Sequence, residues 1–197
     1  MSGNGNLAEI NGATWTTGRF GHALSFNGSS NTVNINRPVV QTSTSFTVAA
    51  WVLLSDLSHW HTAVSQDGNT TSGFYLQFTA PNFSPSGQFA FSLLSSDSIT
   101  GTPIRATSNF NPAANVWYHL VGVYDARAAQ SNLYVNGLLQ STQTVPAAWN
   151  ADGETVIGRA KWGNAADFWS GKIDDVRLYN RALSAADVTN LYASSDK

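Results

Sequence analysis

The sequence predicts an all-β chain: two antiparallel sheets stacked as a β-sandwich, with one short helix near the C-terminus. Three observations lead there. Runs of β-branched and aromatic residues alternate with clusters of Gly, Asn, Ser and Asp, the punctuation of short strands. Helix start signals occur once, after residue 183. No repeat with a period of roughly 20–50 residues is present, which argues against solenoids and propellers.

Each element follows from its own residues. "HALSFNG" (22–28) and "NTVNINR" (31–37) are the first clear strands, joined through Asn27-Gly28 in an opening hairpin. "SFTVAAWVLL" (45–54) is apolar on both faces, which marks a central strand. "SGFYLQF" (72–78) and "GQFAFSLL" (87–94) follow, separated by the turn "TAPNFSPSG". "VWYHLVGVYD" (116–125) reads as another buried strand. In "SNLYVNGLLQST", Asn136-Gly137 between apolar runs supplies the two positive-φ residues of a type I′ hairpin. "ETVIGRA" (154–160) and "GKIDDVRLY" (171–179) complete the strands. Ser184 with Asp187 three residues later resembles a capping box, and Val188, Leu191 and Tyr192 form the inner side of the helix.

Composition removes several classes of function. The net charge is -2 with three lysines (Lys161, Lys172, Lys197), so no basic patch exists to neutralise nucleic-acid phosphates. No apolar run is long enough to span a bilayer, so neither nucleic acid nor membrane is expected as a partner. There are no cysteines, hence no disulfide and no thiolate metal site. Charged residues are 11% of the 197, against about 25% in an ordinary domain. Such a surface suits neutral polar ligands and extracellular life. "MSGNGNLAEI" lacks the charged start and apolar stretch of a secretory leader, so an extracellular location requires an export signal outside these residues.

The blocks "GATWTTGRFGHALSFNGSSNTVNI", "SFTVAAWV", "NVWYHLVGVYD", "LYVNGLLQST", "TVIGRA" and "FWSGKIDDVRLYNRALSAADVTNLY" together resemble the laminin-G-like, concanavalin A-like lectin/glucanase jelly roll. More narrowly, they are similar to bacterial modules attached to secreted glycoside hydrolases, lyases and adhesins. The resemblance implies one domain over residues 1–197. The family's opening strand and Asp do not precede "SGNGN", which implies an open sheet edge unless a neighbouring segment fills it. It also implies that Trp51, Trp117 and Trp169 fill the interior and that Leu178 and Tyr179 pack under the helix. Asp174 and Asp175 alternate across a strand and so cannot cooperate; Asp175 and Arg177 share a face as a structural ion pair. The resemblance further implies one structural Ca²⁺, held by Asp174 and the backbone at Gly28.

Glycosidases generally use two carboxyl groups flanking the scissile bond. Here the two glutamates, Glu9 and Glu154, are far apart, and Asp56, Asp67, Asp97, Asp125, Asp152 and Asp167 fall in loop-like contexts. A polysaccharide lyase needs a base and a cation, for which His59, His61, His119, Tyr75 and Arg105 are available; His119 also reads as a structural histidine. Binding needs exposed rings that stack on sugar faces, with polar neighbours for the hydroxyls. Trp60 with His61, and Trp162 with Arg159, have that setting; the same rings alternatively cap the sandwich ends. Trp149 is a weaker third. Tyr75 and Gln77 share one strand face opposite Phe74, Leu76 and Phe78, as a ligand-facing sheet or simply a solvated one. The expectation is a non-catalytic module that binds a polysaccharide or oligosaccharide, within a larger secreted bacterial protein. The alternatives are a small lyase or glycoside hydrolase, or an adhesive, structural domain.

Overall fold

The computed structural model describes residues 5–82 and 87–194. Part of the expected 79–87 turn (83–86) and part of "SGNGN" (2–4) therefore lie outside the described residues. Two seven-stranded antiparallel sheets face each other. The first contains, in spatial order, β1 (Glu9–Asn11), β4 (Thr32–Ile35), β13 (Thr155–Ile157), β6 (His61–Asp67), β7 (Ser72–Thr79), β8 (Gln88–Leu93) and β9 (Ile104–Thr107). The second runs β12 (Leu138–Thr144), β11 (Gln130–Val135), β10 (Trp117–Asp125), β5 (Phe46–Leu54), β16 (Ser170–Tyr179), β3 (His22–Asn27) and β2 (Thr14–Thr17). A small hairpin of β14 (Ala160–Trp162) and β15 (Asn164–Ala166) and the helix α1 (Ala185–Ser194) complete the fold.

The period of two along each strand builds the interior. Phe46, Val48, Ala50, Val52 and Leu54 of β5 meet Phe74, Leu76 and Phe78 of β7 and Phe89, Phe91 and Leu93 of β8 between the sheets. Phe46 lies 5.1 Å from Phe74 and 5.9 Å from Phe91, ring centre to ring centre. The sheets approach so closely that a Cβ on Gly122 of β10 would stand 2.4 Å from the Phe91 ring. β5 is central, as its two apolar faces require. Its other face, with Ala49, packs under α1 beside Val121, Val188 and Leu191. Ser184 and Asp187 cap that helix reciprocally: the Asp187 N–H donates to Ser184 Oγ at 3.1 Å, and the Ser184 N–H to Asp187 Oδ2 at 3.0 Å.

Asn136 (φ 51°) and Gly137 (φ 79°) form the expected positive-φ turn between β11 and β12. Other expectations need correction. β3 and β4 do not pair; the chain crosses at Gly28 from the second sheet to the first. Trp51 is buried, but on the outer face, where it stacks on Tyr192 of α1 (5.6 Å) and on His119 (5.2 Å). Trp169 does fill the interior, Trp117 is half-buried, and Leu178 packs between the sheets while Tyr179 lies under α1. Asp175 (φ 46°) sits in a bulge of β16, so plain alternation fails there. Its two carboxylate oxygens nevertheless hold Arg177, each at 2.8 Å.

Asp174 and Gly28 do not meet. Gly28 is beside Ser170, while Asp174 lies four residues further along β16 opposite Trp51, about 13 Å away at strand rise. The Asp174 carboxylate accepts the Phe20 N–H instead, at 3.1 Å. Among the described residues no group of three or more His, Asp or Glu is placed to hold a metal ion. The two calcium ligands expected from the sequence, Asp174 and the Gly28 backbone, are therefore not brought together. Gly122→Ala should destabilise the sandwich by about 1–3 kcal/mol through overpacking against Phe91. Denaturant unfolding checks this, and an unchanged midpoint would show that the sheets yield.

Candidate functional site

The register of β7, β8 and β9 sets a polar row on the outer face of the first sheet. Tyr75 pairs with Ser92 and Ser92 with Arg105, and directly opposed residues share a face. Gln77, two residues along β7, joins them, and its Nε2 donates to Ser92 Oγ at 2.6 Å. Outward side chains on an open sheet would be wet. Here Tyr75 is 4% exposed, Gln77 3% and Ser92 0%. The solvated-face alternative is thereby removed: something covers them.

Two walls do so. The β14–β15 hairpin folds over the start of β7, with its Gly163 turn (φ 74°) donating to the Thr70 carbonyl. The Lys161 N–H donates to Ser72 Oγ, and the Tyr75 hydroxyl donates to the Lys161 carbonyl at 3.1 Å. This hairpin carries Trp162, 38% exposed. The other wall is the segment entering β6. Asp56 gathers it, accepting from the Ser58 N–H (2.8 Å) and from His59 Nδ1 (2.9 Å), with His61 Nε2 at 3.3 Å. Burial works against the charge on Asp56, yet these hydrogen bonds hold its carboxyl well below the usual range. His61 Nδ1 donates to the Phe168 carbonyl at 2.6 Å, and the Thr62 N–H to the Asp167 carbonyl at 2.7 Å. Trp60 is thus fixed between two tied residues, and the segment before β16 is tied to it.

Between the walls lies a pocket of ≈ 330 Å³ lined by Trp60, Tyr75, Gln77, Ser92, Pro103, Arg105, Trp162, Ala166 and Asp167. That volume is at the lower end of the small-ligand range. The Arg105 guanidinium carbon is 5.3 Å from the Trp60 ring centre, a cation–π contact. Asp167 holds a positive φ of 53°, a conformation of the sort that collects at functional sites. Burial pushes its carboxyl up to about 6, offset in part by the Arg105 charge. Burial lowers the Arg105 pKa and raises that of the Tyr75 phenol well above its ordinary value.

Four of the six expected ligand residues, Trp60, Tyr75, Gln77 and Trp162, line this pocket. The other two do not. His61 is 3% exposed and spends both ring nitrogens inside the protein. Arg159 is ion-paired to Asp67 and borders a separate depression with Glu154 and Lys161. Trp149 packs against Gly68, away from the pocket. His119 packs against both Trp51 and Tyr192 beneath α1, where burial lowers its pKa to about 4.

Two residues gain a place. Arg105 had been considered only as a lyase cation, and the alternation of "IRAT" carries the signal that puts it outward from β9. Asp167 reads as a loop aspartate and has no local signal; it reaches the pocket through the fold of the segment before β16.

The Laminin_G_3 family, described as "Concanavalin A-like lectin/glucanases superfamily", matches residues 27–189. The chain belongs to this family. Comparison with curated proteins gives no match. Among solved structures, the chain is similar to domain 4 of AbnA, a GH43 extracellular arabinanase from Geobacillus stearothermophilus, in complex with arabinotriose. That match has TM-score 0.72 and 19% identity, covering 94% of this chain and 87% of that one. The binding domain of Paraclostridial Mosquitocidal Protein 1 follows with TM-score 0.75 and 17% identity, covering 99% of this chain and 49% of that one. The binding domain of Botulinum Neurotoxin DC in complex with SialylT gives 0.68 and 17%, covering 96% and 47%. The chain thus spans about half of each toxin domain. At these identities the likeness establishes the fold.

The Asp167 environment has a consequence for stability. The unfolded carboxyl titrates near its ordinary ~3.9, so the folded state holds this proton more tightly. Stability then falls as pH rises from about 4 to about 6, and the loss is complete above that. Asp167→Asn should raise Tm at pH 7.5, by a stabilisation of at most about 3 kcal/mol. The gain should shrink towards pH 4 in calorimetric scans; a variant less stable at pH 7.5 would contradict the burial of the charge.

Proposed function

We propose that this chain is a non-catalytic carbohydrate-binding module, and that its site is the pocket between Trp60 and Trp162. One observation carries the reading. Two aromatic walls flank a floor of buried hydrogen-bonding groups, the combination that stacks a sugar ring and reads its hydroxyls. The floor is already ordered by Gln77–Ser92 and Tyr75–Lys161 hydrogen bonds, so little freedom is lost on binding. The arabinotriose complex of the AbnA domain and the SialylT complex of the toxin domain support a glycan ligand on this fold. The AbnA domain comes from an extracellular bacterial enzyme, which favours an appended module of a secreted polysaccharide-active protein. No helix among the described residues is long and apolar enough to cross a membrane.

A lyase reading has one point in its favour, since Tyr75 and Arg105 line the same pocket. Against it, the Tyr75 hydroxyl donates to the Lys161 carbonyl and accepts the Ser72 N–H, and burial drives its pKa up rather than towards that of a base. A hydrolase reading needs two carboxyls about the bond; among the described residues Asp167 is the carboxylate that lines the pocket.

Trp60→Ala and Trp162→Ala should each weaken binding to a retained polysaccharide at least tenfold, roughly 1.4 kcal/mol, while Tm moves by only a few degrees. Affinity electrophoresis over plant and algal polysaccharides, with product analysis on the same mixtures, tests both parts. Release of shortened or unsaturated products by the wild-type chain would overturn the non-catalytic reading.

A further inference from the structure

The pocket contains one fixed cation and one fixed anion. Arg105 reaches it from β9 and Asp167 from the segment before β16, with Tyr75 of β7 between their rows. Burial removes each of the two charges from much of its water, and each acts electrostatically on the other. Burial disfavours the Asp167 carboxylate, and the Arg105 charge offsets this only in part. A ligand that donates hydrogen bonds to that carboxylate offsets the remainder, and charge-assisted bonds of this kind are the strong ones.

Resting on the carbohydrate reading, we propose that the pocket selects neutral sugars and rejects uronates, with Asp167 accepting from adjacent hydroxyls and Arg105 donating to a hydroxyl or ring oxygen. A neutral sugar leaves the pocket's charges balanced, +1 against −1. A uronate carboxylate brings a second negative charge beside Asp167 in a partly dry cavity, where like charges repel and desolvation is costly. Without Asp167, the Arg105 and Trp60 pair would suit an acidic sugar; the carboxylate reverses the preference.

The two classes have opposite pH dependence. Hydroxyl donors compete with the proton on Asp167, so neutral sugars bind more weakly as pH falls through about 6. Uronates gain when the same proton neutralises Asp167. The other groups facing this region are Arg105 and Tyr75 within the pocket and, on the far side of Asp167, Asp56, His59 and His61. Asp167→Asn separates the effect of Asp167 from that of these neighbours.

The test is calorimetry and affinity electrophoresis at pH 5.0, 6.0 and 7.5. Arabinan, galactan, xylan, mannan and β-glucan form the neutral panel; polygalacturonate and alginate form the acidic one. The expected result is that at least one neutral polymer binds and neither uronate does at pH 7.5. Neutral binding should weaken about tenfold by pH 5.0. Asp167→Asn should lose tenfold or more at pH 7.5 and flatten the pH profile. Tighter binding of a uronate, or a pH dependence that survives in Asp167→Asn, overturns the selectivity while leaving the carbohydrate reading in place. Binding of no polymer at any pH overturns both.

Discussion

The two-residue period of β7 is the constraint on which the site depends. A strand in the middle of a sheet has no choice but to send alternate side chains to opposite sides. Phe74, Leu76 and Phe78 go between the sheets, and that packing holds β7 against β5 and β10. Tyr75 and Gln77 must then point outward, whatever their polarity. A slip of one residue would place three aromatic or aliphatic side chains outside and two polar ones in the core, so the core defends the orientation of the floor. The same register carries Ser92 and Arg105 to the same face from β8 and β9.

A polar floor alone would be a wet sheet surface. It becomes a pocket because two irregular segments cover it and are bonded to the protein beneath. The hairpin with Trp162 is held by backbone and hydroxyl contacts to Thr70, Ser72 and Tyr75. The segment with Trp60 is held by Asp56 on one side and by the Phe168 carbonyl on the other. Covering the floor has an energetic consequence: Asp167 and Arg105 become charged groups with reduced hydration. A fold selected for stability alone has no use for a carboxylate whose burial is only partly offset there. Its presence, together with a positive φ at the same residue, fits a site that trades stability for recognition.

Much of this was legible in the residues. The strands with clean alternation or strong apolar character, β5, β7, β8 and β10, lie close to where the sequence puts them. So does the Asn136-Gly137 turn, because its chemistry is local. β6 carries no such pattern, since "HTAVSQD" has few apolar residues. It is nevertheless buried throughout, since the β14–β15 hairpin covers it and Gln66 bonds Val40 and Ala151 inside. Polar burial of that kind depends on distant partners and leaves no pattern in the strand itself. The two tryptophans of the pocket stood out because they sit among polar residues. Their neighbours misled: His61 turns inward to Phe168 and Arg159 to Asp67, contacts made across 107 and 92 residues. Asp167 was overlooked for the converse reason, being a loop residue that only the fold brings to Arg105.

The central claim, that recognition happens between Trp60 and Trp162, is tested most directly by following the indole N–H resonances of the seven tryptophans while a bound glycan is titrated in. The account predicts that the Trp60 and Trp162 signals move together and saturate at one concentration, while Trp51 under the helix, Trp169 in the interior and exposed Trp15 on the edge of the second sheet stay in place. Movement of Trp15 or Trp51 with Trp60 and Trp162 unmoved would place the ligand on the other sheet and contradict it.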